Sequence, residues 1–310
     1  MNKKPLVSVV MITYGHENYI REAIEGVLVQ KCNFDIELII ANDASPDATD
    51  DIIRFLIESH HNSTWIEYVK HEKNIGMMPN FFSALNRCKG KYIALCEGDD
   101  YWTDPLKLQK QVDFLEANDE YAIHSGVARI CRKGEEIEEY VGFDEIEKTF
   151  KIEDFYSCNH LITCTVMFRN SKKENINGFN EITYGDWFLY VLLLKQTGLK
   201  AYKSKDVFSV YRVHDGGFMS SLSGLEYNKE HIKQIIEIKK YVGYRKYSLL
   251  EVNRLNNYSM KSFKVEMHEK KYFEALTTFL INLSCCKSKT PIRNYLGVVK
   301  NIFKNLIQIA

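Results

Sequence analysis

The sequence predicts an α/β fold: a mostly parallel sheet with helices on both faces, followed by a helical appendage. Three observations predict it. Short, nearly continuous apolar runs recur at 6–13, 36–41, 65–69 and 92–96, as expected of strands buried on both faces. Between them apolar side chains return at helical spacing, and strand–helix alternation in this cadence means parallel βαβ units. Three of the runs end in polar residues, Thr13-Tyr14, Asn42-Asp43 and Glu97-Gly98-Asp99-Asp100. Ligands of open α/β sheets sit at such strand ends, so these residues should converge.

Each element has its own justification. Tyr19, Ile20, Ala23, Ile24, Val27 and Leu28 mark a helix over 17–30, and Ile52, Ile53, Leu56 and Ile57 mark a second. Phe81, Phe82, Ala84 and Leu85 mark a third, which leads into the run at 92–96. That run ends in three carboxylates around a glycine. Carboxylates gathered at a strand end repel one another, so a cation belongs among them. Hard oxygen ligands suit Mg²⁺ or Mn²⁺ together with a phosphate. The alternative is an acidic turn before a helix, with Thr103 or Asp104 as N-cap and Pro105 in the first helical position. Further on, Asp186 follows Gly185 and begins an apolar helix, where an acid can also serve the helix dipole. His214 ends a strand-like run at 207–213 and opens the loop Asp215-Gly216-Gly217.

Composition excludes several classes. Lys plus Arg and Asp plus Glu both number 41 in 310 residues, so no global basic field steers nucleic acid. The eight cysteines include no CxxC pair, which points away from a zinc site or a disulfide framework and toward a reducing cytoplasm. No apolar stretch is long enough to span a bilayer, and the first strand follows too closely on Met1 for a signal peptide. There is no GxGxxG or P-loop.

Six short motifs, in order, resemble those of family 2, GT-A fold, inverting glycosyltransferases of the bacterial cell-surface polysaccharide type: 7–14, 39–47, 74–76, 97–102, 184–187 and 211–214. The resemblance covers about the first two thirds of the chain and implies a Rossmann-like GT-A domain over 1–222, with a donor half near 1–120 and an acceptor half near 121–222. Residues 223–310 form the helical remainder. It further implies that Asp43 binds the base or ribose of a nucleotide-sugar, a UDP-sugar above all, with an Asx-turn as the alternative and Asp47 as the cap. Thr13 and Tyr14 would flank the base, and Asn74 and Gly76 would approach the donor. Asp99 and His214 would reach the metal, Mn²⁺ or Mg²⁺; Glu97, Asp100 and Arg212 would contact the donor. Asp186 would be the catalytic base that deprotonates an acceptor hydroxyl in a single inverting displacement. Two positions depart from the family pattern: Glu97 stands where an aspartate is common, and Gly15 where an asparagine is common.

The tail after residue 224 reads as helical, with further patterns over 249–265 and 272–283. From Lys287 onward there are basic residues and no acids. Ile292, Tyr295, Leu296, Val299, Ile302, Phe303 and Leu306 line one helical face, which suits packing on its own domain or peripheral contact of 287–310 with the inner face of the membrane. The acceptor expected is a saccharide or lipid-linked saccharide, and no nucleic-acid partner is expected. Glu135, Glu136, Glu138 and Glu139 read as a solvated face. Two further functions remain open: a nucleotidyltransferase of similar architecture, disfavoured by the acidic rather than basic loop after the first strand, and a non-catalytic nucleotide-sugar-binding homologue.

Overall fold

The computed structural model describes residues 4–132, 135–141, 147–171, 182–243, 248–286 and 295–296. The amphipathic pattern of 287–310 lies outside them except at Tyr295 and Leu296, as do the side chains of Glu135, Glu136, Glu138 and Glu139. The chain splits into two compact units. The first comprises Met1–Phe155, Asn159–Glu181 and Gly185–Gly216; the second comprises Tyr156–Cys158, Ile182–Tyr184 and Gly217–Ala310.

The first unit begins with β1 (Val7–Thr13), α1 (Ile20–Leu28), β2 (Ile36–Asn42), α2 (Thr49–Ser59), β3 (Ile66–Lys70), α3 (Met77–Arg87) and β4 (Tyr92–Leu95). These strands pair in parallel in the order β3-β2-β1-β4. Burial follows from composition: Val7, Val9, Val10 and Met11 of β1 are inaccessible on both faces, and α1 turns Ile20, Ala23, Ile24 and Val27 onto the sheet. Beyond β4 the sheet becomes mixed. There follow β5 (Tyr101–Trp102), α4 (Lys107–Ala117), β6 (Tyr121–Arg132), β7 (Glu135–Val141), β8 (Lys148–Phe150), β9 (Met167–Arg169), α5 (Gly185–Thr197) and β10 (Lys200–Val213). The short β9 inserts antiparallel between β4 and β6, and β10 runs parallel to β6 while pairing antiparallel with β5 and β8.

Two boundaries differ from the sequence expectation. Strand β10 starts at Lys200, well before 207, because its first half pairs with both β6 and β8. Helix α4 starts at Lys107 rather than at Pro105. The Asp104 carboxylate accepts the Leu106 N–H at 2.8 Å and makes a turn ahead of the helix. Helix α5 has no polar face: Trp187 through Leu194 are all buried, as expected of a helix enclosed on every side.

In the second unit, α6 (Phe218–Ser221), α7 (Gly224–Val242), α8 (Leu249–His268) and α9 (Tyr272–Cys286) follow one another. Helices α7 and α8 each begin with a capping box, Ser223 with Glu226 and Ser248 with Glu251, which satisfies backbone donors reciprocally. Glu251 uses its other oxygen to hold the buried Lys239 ammonium at 2.7 Å. Among the described residues no helix is long and apolar enough to cross a membrane.

Lys107 is fully buried in the first unit; its ammonium donates to Gln111 Oε1 at 2.7 Å and stands 4.1 Å from the Trp102 ring centroid. Burial, only partly opposed by nearby Cys96, Cys164 and Asp104, pushes its pKa down to about 7. The unfolded chain therefore binds more protons than the folded one between that value and the free lysine value of about 10.4, so this residue makes stability rise with pH across the window. In Lys107→Met that contribution disappears, a difference on the order of a few kcal/mol between the two ends of the window. Denaturant unfolding of both proteins at the two pH values checks this, and parallel pH dependences would contradict it.

Candidate active site

The carboxyl ends of β1, β2 and β4 meet, as the polar strand ends predict. After Thr13 the chain turns at Gly15, whose φ of 72° lies in the left-handed region. Asparagine also tolerates that region, so the departure from the family pattern here preserves the turn. The Gly15 N–H donates to Ser45 Oγ, His16 N–H to Thr49 Oγ1, and Glu17 N–H to Asp47 Oδ2, each at 3.0 Å. Asp47 also accepts the Thr49 N–H, so it organises the start of α2 from the position before the N-cap. The loops after β1 and β2 are thereby fastened to one another. Ala44, with φ 57°, is a left-handed non-glycine residue in the second loop, a strained conformation of about 1 kcal/mol or more.

Asp43 is buried at the end of β2. Its Oδ1 accepts the Ile75 N–H at 2.7 Å and its Oδ2 the Gly76 N–H at 2.9 Å. Asn74 Oδ1 accepts the same Gly76 N–H. The residues expected to approach a donor are thus built into one loop, with Asp43 as its anchor. Tyr14 is about half exposed, whereas Thr13 is buried with Oγ1 lacking a hydrogen-bond partner.

The acidic turn follows β4. Asp100 N–H closes it onto the Glu97 carbonyl at 3.2 Å, and Gly98 N–H ties it to the Ile12 carbonyl of β1 at 3.0 Å. A Cβ at Gly98 would stand 2.8 Å from Thr13 Oγ1 and 3.0 Å from His16 Nδ1; only glycine permits this approach. Strand β10 clasps the turn from the other side. Arg212 N–H donates to Asp100 Oδ1 at 2.8 Å, and the Arg212 guanidinium donates to the Asp99 carbonyl at 2.8 Å and to the Glu22 carboxylate. The same guanidinium lies 4.2 Å from the Tyr101 ring centroid.

Two imidazoles bracket Asp99. His214 Nε2 is 3.2 Å and His16 Nε2 3.8 Å from Asp99 Oδ2. Burial pushes Asp99 up, but the His214 hydrogen bond and the charges of both histidines outweigh it and hold the carboxyl below its ordinary value. Glu97 and Asp100 behave oppositely. Burial, with the neighbouring carboxylates adding to it, drives both well above the carboxylate range. Glu97 Oε2 and His16 Nδ1 are buried without hydrogen-bond partners. Among the described residues no group of three His, Cys, Asp or Glu side chains is gathered as a metal cage. That donor set fits a divalent ion that arrives with a diphosphate, since Mg²⁺-like ions take one or two protein carboxylates and complete their shell with phosphate and water.

Asp186 opens α5 within the same unit. Its Oδ2 accepts from Asn159 Nδ2 at 2.8 Å and from Thr163 Oγ1 at 2.9 Å. Burial raises its pKa despite these hydrogen bonds, a condition that suits a general base. Sequence reasoning missed His16, Asn159 and Thr163. His16 lies in the loop just past the motif at 7–14, but no spacing marks Asn159 or Thr163 as partners of a residue more than twenty positions away.

The model of glycosyl transferase family 2 matches residues 8–176. The uncharacterised protein Rv1520 of Mycobacterium tuberculosis is 33% identical over 216 residues, 69% of this chain, and the chain spans 61% of that relative's length. WfaP of Escherichia coli, a UDP-Glc:alpha-D-GlcNAc-diphosphoundecaprenol beta-1,3-glucosyltransferase, is 30% identical over 225 residues, covering 68% of this chain and 78% of WfaP. Two solved structures share the fold. S. aureus TarS 1-349 in complex with UDP-GlcNAc superposes with a TM-score of 0.58 at 16% identity, covering 96% of this chain and 92% of that one. Mannosyltransferase PcManGT from Pyrobaculum calidifontis, in complex with GDP-Man and Mn²⁺, gives 0.59 at 15% identity, covering 98% and 88%.

The grip of Asp43 on the loop at 75–76 has a direct test. Asp43→Asn puts an NH₂ group against one of two backbone donors, and leaving a buried donor unsatisfied costs about 1–3 kcal/mol. Amide hydrogen exchange at Ile75 and Gly76 is expected to accelerate while β1 and β2 amides keep their protection. Unchanged exchange at both loop amides would show that the carboxylate does not hold them.

Proposed function

The chain belongs to glycosyl transferase family 2, and on that premise we propose that it transfers a sugar from a nucleotide-sugar, a UDP-sugar first, to an acceptor hydroxyl with inversion at the anomeric carbon. The observation that carries this reading is the pairing, within one unit, of an acidic turn bracketed by histidines with a separate carboxylate at Asp186 that two side-chain donors orient. The acceptor hydroxyl gives its proton to Asp186 Oδ1, the oxygen that Asn159 and Thr163 do not hold, as its own oxygen attacks the anomeric carbon. The bond from that carbon to the diphosphate breaks on the opposite face, and its electron pair leaves with the nucleoside diphosphate. No second carboxylate is needed to form a covalent intermediate.

The donor would lie along the strand ends, with Thr13 and Tyr14 beside the base and Asp43 with Asn74 and Gly76 bordering the nucleoside. Glu97 faces the ribose, and Asp100, buried and braced by the Arg212 N–H, fixes the turn. Arg212 acts by the same bracing. Asp99 and His214 would hold a divalent cation, Mn²⁺ or Mg²⁺, which when bound neutralises the leaving diphosphate. The PcManGT complex with Mn²⁺ supports divalent metal use, and the TarS complex supports a UDP-linked donor. The naming of WfaP supports a lipid-linked saccharide acceptor and a place in cell-surface polysaccharide or glycolipid synthesis. Family membership sets the nucleotidyltransferase alternative aside.

Calorimetric titration with UDP, GDP and TDP in the presence of Mn²⁺ tests the donor; binding of UDP that is lost in Asp99→Ala is the expected result, and no binding of any nucleoside diphosphate would defeat the reading. Asp186→Asn is expected to keep UDP binding and lose turnover by about 10²–10⁴-fold. A non-catalytic homologue would show no turnover to lose. Because the Asp186 pKa is raised and a base must be deprotonated, activity is expected to fall with decreasing pH above the ordinary carboxylate value of about 3.9. Thr163→Val removes a hydrogen bond that lowers this pKa, so the acid limb of kcat/KM moves further up. A limb that stays in place would mean Asp186 is not the group that titrates.

A further inference from the structure

Helix α9 has fifteen residues, and Glu274 is its only charged one. Its inner side is occupied: Ala275, Thr278 and Asn282 are buried, and Phe279 packs against the Tyr295 ring at 4.8 Å between centroids. The other side is apolar and open. Tyr272 is 55% exposed, Phe273 79%, Leu276 51%, Leu280 54% and Ile281 37%. At about 100° per residue these five fall within one half of the helix together with Thr277, Leu283 and Ser284, and the exposed Glu274 lies at its edge. A surface helix ordinarily turns charged residues to water on that half. The face continues toward α7 in a groove of about 480 Å³, where Ile232 and Ile236 join Phe273 and Ile281, with two lysines and three glutamates lining it as well.

We propose that the outward half of α9 docks the second unit against an anionic lipid surface. Charge selects this occupant. Lys270 and Lys271 immediately precede the helix, and from Ala275 to Ala310 the sequence holds Lys287, Lys289, Arg293, Lys300 and Lys304 with no acid. An apolar helical face flanked by lysines matches acyl chains beneath anionic headgroups. Acids are near as well, Glu269 paired with Lys271 at 2.6 Å and Glu230, Glu237 and Glu274 along the groove, so the excess of positive charge comes from the basic residues that follow the helix in the sequence. At fifteen residues α9 is too short to cross a bilayer and would lie in its surface. None of the groups assigned to sugar transfer takes part, so the inference stands or falls apart from that reading.

The test is co-sedimentation of the full chain with vesicles of phosphatidylcholine alone and with vesicles of equal parts phosphatidylcholine and phosphatidylglycerol. Binding is expected to be about tenfold or more tighter to the anionic vesicles and to weaken with added salt. The double variant Phe273→Glu/Leu280→Glu alters only exposed positions; it is expected to abolish binding at an unchanged melting temperature. Lys270→Glu/Lys271→Glu keeps the apolar face and is expected to weaken binding to anionic vesicles alone. Equal binding to both vesicle types, or undiminished binding by the apolar-face variant, overturns the proposal. So does a wild-type dimer that the apolar-face variant dissociates, since a second copy would then be the occupant.

Discussion

Glu97, Asp99 and Asp100 stand within four residues at the end of a buried strand, and three carboxylates so placed cannot all be charged without compensation. Much of the first unit serves that constraint. The two imidazoles keep Asp99 anionic, while Glu97 and Asp100 are driven toward the protonated form. The turn therefore holds a single preferred anionic site rather than a diffuse acidic patch. Glu97 Oε2, buried and without a partner, is a polar group that an entering ligand would satisfy. A ligand that brings a cation would relieve both strains at once.

Strand β10 makes this arrangement rigid. It pairs with β6 on both sides of register shifts between Lys203 and Ser209, and with β5 at Ser209 and Val210, so Arg212 and His214 arrive at the turn at the end of a paired ladder. Arg212 then spends its donors on Asp99, Asp100 and Glu22, linking the acidic turn to α1. The result ties β1, α1, β4 and β10 together around one turn. Asp186 is positioned independently, by the enclosed α5 and by Asn159 and Thr163. The acidic turn and Asp186 are not electrically separate, since the charge of Asp186 adds to what raises Glu97.

The second unit solves a different problem. Its helices begin with capping boxes, and buried Lys239 and Glu251 are paired so that neither charge is left uncompensated. Against that background the uncharged outer half of α9 is an exception. Elsewhere in the unit Lys240, Lys261 and Lys264 carry charge on exposed helical surface, although Leu249 and Leu250 at the start of α8 are exposed too. An exposed aromatic pair at Tyr272 and Phe273 costs solvation in water that a partner surface would restore.

The sequence by itself determined what depends on local pattern. The parallel run β1, β2, β3 and β4 follows from continuous apolar segments, and the convergence of Thr13, Asp43 and Asp99 follows from the rule that places strand ends along one edge. Motif resemblance led to Asp186 and His214 as well. Tertiary structure alone decided what depends on partners distant in the chain. Three residues such as Met167 to Arg169 carry too little periodicity to announce a strand between β4 and β6, and β10 owes its early start to pairing rather than to its own composition. Arg212 reads equally as a phosphate ligand or a clasp until Glu22 and the Asp99 carbonyl are found beside it. Asn159 and Thr163 become meaningful only when folding sets both on one oxygen of Asp186, because hydrogen-bond geometry is a property of juxtaposed atoms and leaves no period in the sequence.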